Sequence, residues 1–132
     1  MKPGKYYVGD LCYILGDRWD EICELTIKDN ECLEGEFTTK DGLVFVMYGT
    51  AWGDGSYHDN YGHGYGVDSG TIGCVALEDL SQEELEKDWK HLGAVIDFPK
   101  EFKTRKKGRG LLIFGYIEID TCGEEEQEED YQ

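Results

Sequence analysis

The sequence predicts an α+β fold: a bent antiparallel sheet or partly closed β-barrel with one or two helices packed on it. Three observations carry that expectation. Short apolar or alternating runs of strand length, bounded by glycine or Asp-Gly, recur along most of the 132 residues. Helical patterning is confined to two places, near 17–29 and over 82–92. No strand–helix–strand alternation of the kind that builds a parallel sheet occurs, and no internal repeat is present.

Taken in order, Tyr6–Val8 and Leu11–Leu15 read as strands. Asp17 then opens a helix, with Asp20 and Glu21 in its first turn, where the helix dipole favours acids, and Trp19, Ile22, Cys23 and Thr26 on one face. Its end is expected near Lys28-Asp29-Asn30. Residues 33–39 and 43–48 flank Lys40-Asp41-Gly42, and Asp-Gly between such runs is a hairpin signal because the turn needs positive φ. Leu43–Tyr48 and 111–117 are apolar on both faces, as expected of strands covered on both sides. Thr71–Leu77 and Ala94–Phe98 are further strands. Ser81 and Glu84 form a capping box, Leu80 and Leu85 a staple, and Leu85, Trp89 and Leu92 an i, i+4, i+7 stripe closed by Gly93, which predicts a helix over 82–92. His91 falls in its last turn, where an imidazole suits the dipole. Phe102–Arg105 is expected to pair back on 111–119 through the Gly108–Gly110 turn.

Composition narrows the class. With 39% hydrophobic and 13% aromatic residues the chain is too apolar for a disordered protein, despite 29 acids against 13 bases and a formal charge of −16. The expected organisation is one globular domain over 1–122 and an acidic, disordered tail over 123–132, which carries six acids and no base. No run approaches the ~20 apolar residues that span a bilayer, and Met1–Lys5 lacks the apolar stretch of a secretory signal, so a cytoplasmic location with no membrane partner is expected. Five cysteines without a C-x-x-C pair argue against a disulfide framework or a zinc ribbon and predict free, mostly buried thiols. The net charge disfavours nucleic acid everywhere except the basic hairpin 100–109, which holds six of the 13 bases and offers Phe102 for stacking.

Residues 49–73 are the most unusual part, with eight glycines, three aspartates, two histidines, three tyrosines and Trp52 at the opening. Asp54, His58, Asp59 and His63 supply the mixed carboxylate and imidazole set that suits a divalent metal. The spacing is not that of an EF-hand, because Asp59 stands where the glycine belongs, and no Gly-Lys-Ser/Thr follows to make a phosphate loop. An extended 57–67 would place Tyr57, Asp59, Tyr61, His63 and Tyr65 on one face, suited equally to a planar ligand or to ordinary packing. The structural alternative is a long hairpin or Ω-type loop whose Asp and Asn side chains bond the backbone while its tyrosines clamp it to the body. A thiol nucleophile at Cys12 or Cys74, with His58 or His63 as base, is disfavoured by their apolar settings, and Ser69 lies in no nucleophile elbow.

Three motifs occur together: Tyr7-Val8-Gly9-Asp10-Leu11-Cys12-Tyr13, Thr50-Ala51-Trp52-Gly53-Asp54-Gly55-Ser56-Tyr57 and Val67-Asp68-Ser69-Gly70-Thr71-Ile72-Gly73. Over roughly 6–98 the chain thereby resembles a group of short uncharacterised proteins, many of bacterial or phage type, with Y-x-G-D-x-C-Y, T-A-x-G-D-G-x-Y and V-D-S-G-x-I-G motifs and no established activity. The resemblance implies one compact domain with Asp10, Asp54 and Asp68 near one another, and no particular reaction. Leu11 departs from it, standing where proline is expected, and the acidic tail is an addition.

The function expected from these readings is a module binding a small ligand or a protein partner through 49–73, with Asp10, Trp52, Asp54, Tyr57, Tyr61, Tyr65 and Asp68 as ligand-contacting candidates. An enzyme is the less favoured class. Its form would be a small metal-dependent hydrolase with a divalent ion on Asp54, His58, Asp59 and His63 and an attacking bound water; no other cofactor is implied. A second alternative is a regulatory interaction protein acting through its acidic tail. Nothing in the sequence fixes the oligomeric state.

Overall fold

The computed structural model describes residues 1–87, 89 and 92–121. A five-stranded, wholly antiparallel sheet organises them: β1 (Gly4–Gly9), β4 (Gly35–Thr38), β5 (Val44–Gly49), β8 (Thr71–Ala76) and β9 (Ala94–Phe98), in the order β4-β5-β8-β1-β9. Period-two alternation sends Tyr6, Val8, Val46, Tyr48, Ile72, Cys74 and Ile96 to one face, and Tyr7, Phe45, Met47 and Val75 to the other. Each face needs a cover. The first is covered by the hairpin of β6 (Gly55–His58) with β7 (Gly64–Val67) and by a three-stranded sheet of β10 (Thr104–Lys107), β11 (Leu111–Phe114) and β12 (Ile117–Asp120), through Tyr65, Val67, Leu112, Phe114, Ile117 and Ile119. The second is covered by helix α1 (Trp19–Thr26), the turns before it and the segment after β8, through Leu11, Ile14, Leu15, Ile22, Leu80 and Trp89. The fold is therefore α+β with open sheets, and β4 and β9 are edge strands.

The Asp-Gly hairpin forms as the sequence indicates, with Glu36 opposite Val46, Phe37 opposite Phe45 and Gly42 at φ 92°. β10 likewise pairs with β11 across the Gly108 turn. Elsewhere local patterning gives way. Leu11–Leu15 is a helical turn rather than a strand: Ile14 and Leu15 N–H both donate to the Leu11 carbonyl, and Leu11, Ile14 and Leu15 share one buried side at i, i+3, i+4. Asp17 lies in a 3-10 turn (Gly16–Arg18), so α1 starts two residues later. Its end is set by a tight hairpin of β2 (Ile27–Lys28) and β3 (Glu31–Cys32), whose loop residues Asp29 and Asn30 both have positive φ (52° and 64°).

The capping box at Ser81 is present, but α2 spans only Gln82–Leu85. Trp89 Nε1–H donates to the Glu84 carbonyl at 3.1 Å, occupying the acceptor that a further helical turn would use. Burying the indole in the core wins over continuing the helix. Part of the expected 82–92 helix, His91 included, lies outside the described residues, as do Cys122 and the expected tail 123–132. The run 111–117 is not one strand. It folds back at Gly115 (φ 60°), where an added Cβ would meet the ring of Phe98 and the Cβ of Phe102, and only Leu112 and Phe114 of β11 turn into the core. Of the thiols described, Cys74 alone is buried; Cys12 and Cys23 are half-buried and Cys32 is exposed, because β3 has no layer over it. Among the described residues no helix is long and apolar enough to cross a membrane.

Candidate functional site: a groove beside the glycine-rich hairpin

Two carboxylates shape the 49–73 segment. Asp10 is fully buried at the end of β1: Oδ1 accepts Cys12 N–H (3.0 Å) and Ser69 Oγ–H (2.8 Å), and Oδ2 accepts Asp68 N–H and Ser69 N–H (both 2.7 Å). It fastens the Val67–Gly70 turn to the sheet. Asp59 braces the hairpin tip on itself, taking Tyr61 and His63 N–H on Oδ1 and His63 Nδ1–H and Tyr65 O–H on Oδ2. Burial alone would raise the Asp59 carboxyl. The Tyr65 and His63 side chains and the two N–H donors outweigh it and hold it below the ordinary range.

The expected single extended face over 57–67 is consequently replaced by a hairpin. Tyr57 pairs with Tyr65 and His58 with Gly64, and the turn 59–63 points Tyr61 to solvent, against Tyr116. Tyr57 and Tyr65 spend their hydroxyls on the Gly53 carbonyl and on Asp59. Trp52 is 49% exposed and stacks under the Arg109 guanidinium at 4.7 Å, joining the loop to the basic hairpin. Of the motif aspartates, Asp10 sits directly under Asp68, while Asp54 is exposed beside Gly53, whose Cα packs near Gly70. Among the described residues no three His, Cys, Asp or Glu side chains group to hold a metal ion; of Asp54, His58, Asp59 and His63, the hydrogen-bonded pair is Asp59 with His63. Burial and a hydrogen bond to Asp10 push the Cys12 thiol up to about 12, and burial raises Cys74, so neither provides a thiolate at neutral pH.

His58 and His63 do converge on one feature, a groove of about 720 Å³ between the hairpin and Leu92–Val95. On the hairpin side its wall is the outward face, Ser56, His58, Gly64 and Gly66, opposite in direction to the buried Tyr65 and Val67. Asp59 holds His63 Nδ1, so Nε2 is the nitrogen left for a ligand. Gly64 and Gly66 are the informative residues. Neither has positive φ; a Cβ on Gly66 would meet nothing within 4 Å, and one on Gly64 only the His58 ring at 3.6 Å. Glycine weakens a strand, and neither backbone conformation nor packing demands it here; open space over the strand is what these residues preserve.

A second cavity of about 540 Å³ has Tyr6, Leu43 and Ala76 in its wall and Glu36, Asp41 and Asp79 at its margin. Two of its acids are already committed, Asp41 to Arg18 and Thr39 and Asp79 to Lys2. The alternating Gly-Tyr-Gly of 64–66 was a visible sequence signal for the groove. Ala94 and Val95 gave none, since their position on an edge is a property of the sheet order. Compared with known proteins, the chain matches no family model, no curated protein and no solved structure.

Proposed function

We propose that the protein is a binding module whose site is the groove between the β6–β7 hairpin and Leu92–Val95. The observation that carries this reading is the pair Gly64 and Gly66, strand glycines with no structural demand, lining a groove flanked by two imidazoles. The test is an amide NMR titration of the full chain with two collections, planar heteroaromatic fragments and short peptides. Binders are expected to shift resonances of 56–58, 63–66 and 93–95, and Gly66→Val, whose Cβ would meet nothing within 4 Å, is expected to abolish those shifts while keeping the melting temperature within a few degrees. Binding that maps elsewhere, or none from either collection, would overturn the reading.

A further inference from the structure

We infer that the groove's occupant is an extended segment of another protein, added as a strand between β7 and β9; this rests on the groove being the binding site. The main-chain polarity of both walls follows from the ladders. Thr50 N–H donates to the Gly70 carbonyl, and alternation from that bond through β8 and β1 turns the groups of Ala94, Ile96 and Phe98 toward β1 and those of Val95 and Asp97 outward. The Tyr116 hydroxyl confirms the direction by donating to the Asp97 carbonyl at 2.8 Å. In the hairpin, Asp59 N–H to the His63 carbonyl sets the same alternation, so Gly64 and Gly66 face away from β6. Gly66 N–H donates to the Leu92 carbonyl at 3.2 Å and closes one end of the groove. Beyond that point β7 and β9, which belong to different sheets, share no further backbone hydrogen bond, and among the described residues the outward groups of Gly64 and Val95 have no partner.

Edges of this kind are usually blunted by charge, proline or a covering loop. Here Val95 is 46% exposed, no Lys, Arg, Asp or Glu lines the groove among the described residues, and glycines on the facing strand admit a close backbone approach. Carboxylates stand at the ends instead: exposed Asp54 and Asp68 at the base of the hairpin and exposed Asp97 along β9. The complementary segment has small or apolar residues in the middle and basic flanks. A second folded copy is a poorer occupant, because the hairpin fastened at Gly66 stands beside the β9 edge and meets an incoming sheet first.

The test uses the full chain labelled with 15N and a peptide of alternating valine and threonine with a lysine at each end, alone and with alternate N-methylated amides. Binding of the unmodified peptide is expected to shift and slow the exchange of the Gly64, Val95 and Asp97 amides, and N-methylation, which removes donors but keeps the side chains, to weaken it at least tenfold. Val95→Pro deletes an outward N–H without touching the β1 ladder and is expected to abolish binding; Gly66→Val is the second blocking variant should the first not fold. Equal affinity for the N-methylated peptide would overturn strand addition. Fragments binding in the groove while peptides do not would overturn it and leave the groove reading standing, whereas no binder of either kind would remove both. Shifts at Val95 that depend on protein concentration alone would make a second copy the occupant and overturn the proposal.

Discussion

At the scale of single residues, the acids that look most like ligand-binding groups are spent on the chain itself. Asp10 accepts four hydrogen bonds in a fully buried setting, so Asp10→Ala strands three N–H groups and a hydroxyl. Hydrogen bonds to a charged acceptor are worth about 1.5–3 kcal/mol each and are not additive, which puts the loss at about 3 kcal/mol or more in urea unfolding, with Asp10→Asn between it and the parent. Asp59 and Glu84 make a pH prediction. Arg18, bound through Nε (2.7 Å) and Nη2 (3.1 Å), with help from Ser81, holds the Glu84 carboxyl low against the burial that would raise it. Both folded values lie below the unfolded ones, so the stability they supply is present above about pH 4.5 and is lost as pH falls through the folded values. Unfolding midpoints measured across pH 3 to 7 are expected to fall on the acid side, and less steeply in Asp59→Asn.

At the scale of elements, what was legible is what short-range chemistry decides. The Asp41-Gly42 turn and the Ser81/Glu84 box need only residues a few positions apart, and both are found; Ser81→Ala is expected to cost about 1 kcal/mol in chemical denaturation. What was illegible was decided by the core. Trp89 leaves the helical path to bury its ring, and LLIFGYI folds back because Phe98 and Phe102 occupy the space over Gly115. Leu11–Leu15 is short and apolar enough to read as a buried strand, but its i, i+3, i+4 spacing is that of a helical turn. The candidate site was half legible: His58 and His63 flank it, whereas the edge of β9 depends on a strand order that no local pattern encodes. Glycines separate the two kinds of constraint. A Cβ at Gly73 would overlap the Val46 carbonyl of the neighbouring strand, whereas one at Gly66 meets nothing, so Gly73→Ala is expected to cost about 1–3 kcal/mol and Gly66→Ala to be neutral or stabilising, as thermal unfolding will show.

At the scale of the whole molecule, the excess of 29 acids over 13 bases sets a field that local pairing offsets only in part. Lys2 with Asp79, Arg18 with Asp41, Lys87 with Asp17 and Lys106 with Glu34 each tie distant parts of the chain, and each has at least one partner a third or more exposed that salt screens. Screening therefore acts in two directions, weakening these pairs and relieving repulsion among the surplus carboxylates. The imbalance decides the sign, since a surface pair is worth about 0–1 kcal/mol while repulsion at a net charge of −16 is shared across the whole surface. Raising ionic strength from ~0.01 M to ~0.15 M shortens the Debye length from ~30 Å, comparable to the molecule, to ~8 Å. A gain of ~0.5–1 kcal/mol, or about 2–4 °C in melting temperature for a chain of this size, is expected by calorimetry at neutral pH. A fall on adding salt would show that the ion pairs dominate, and Lys106→Gln would then lose part of that salt dependence.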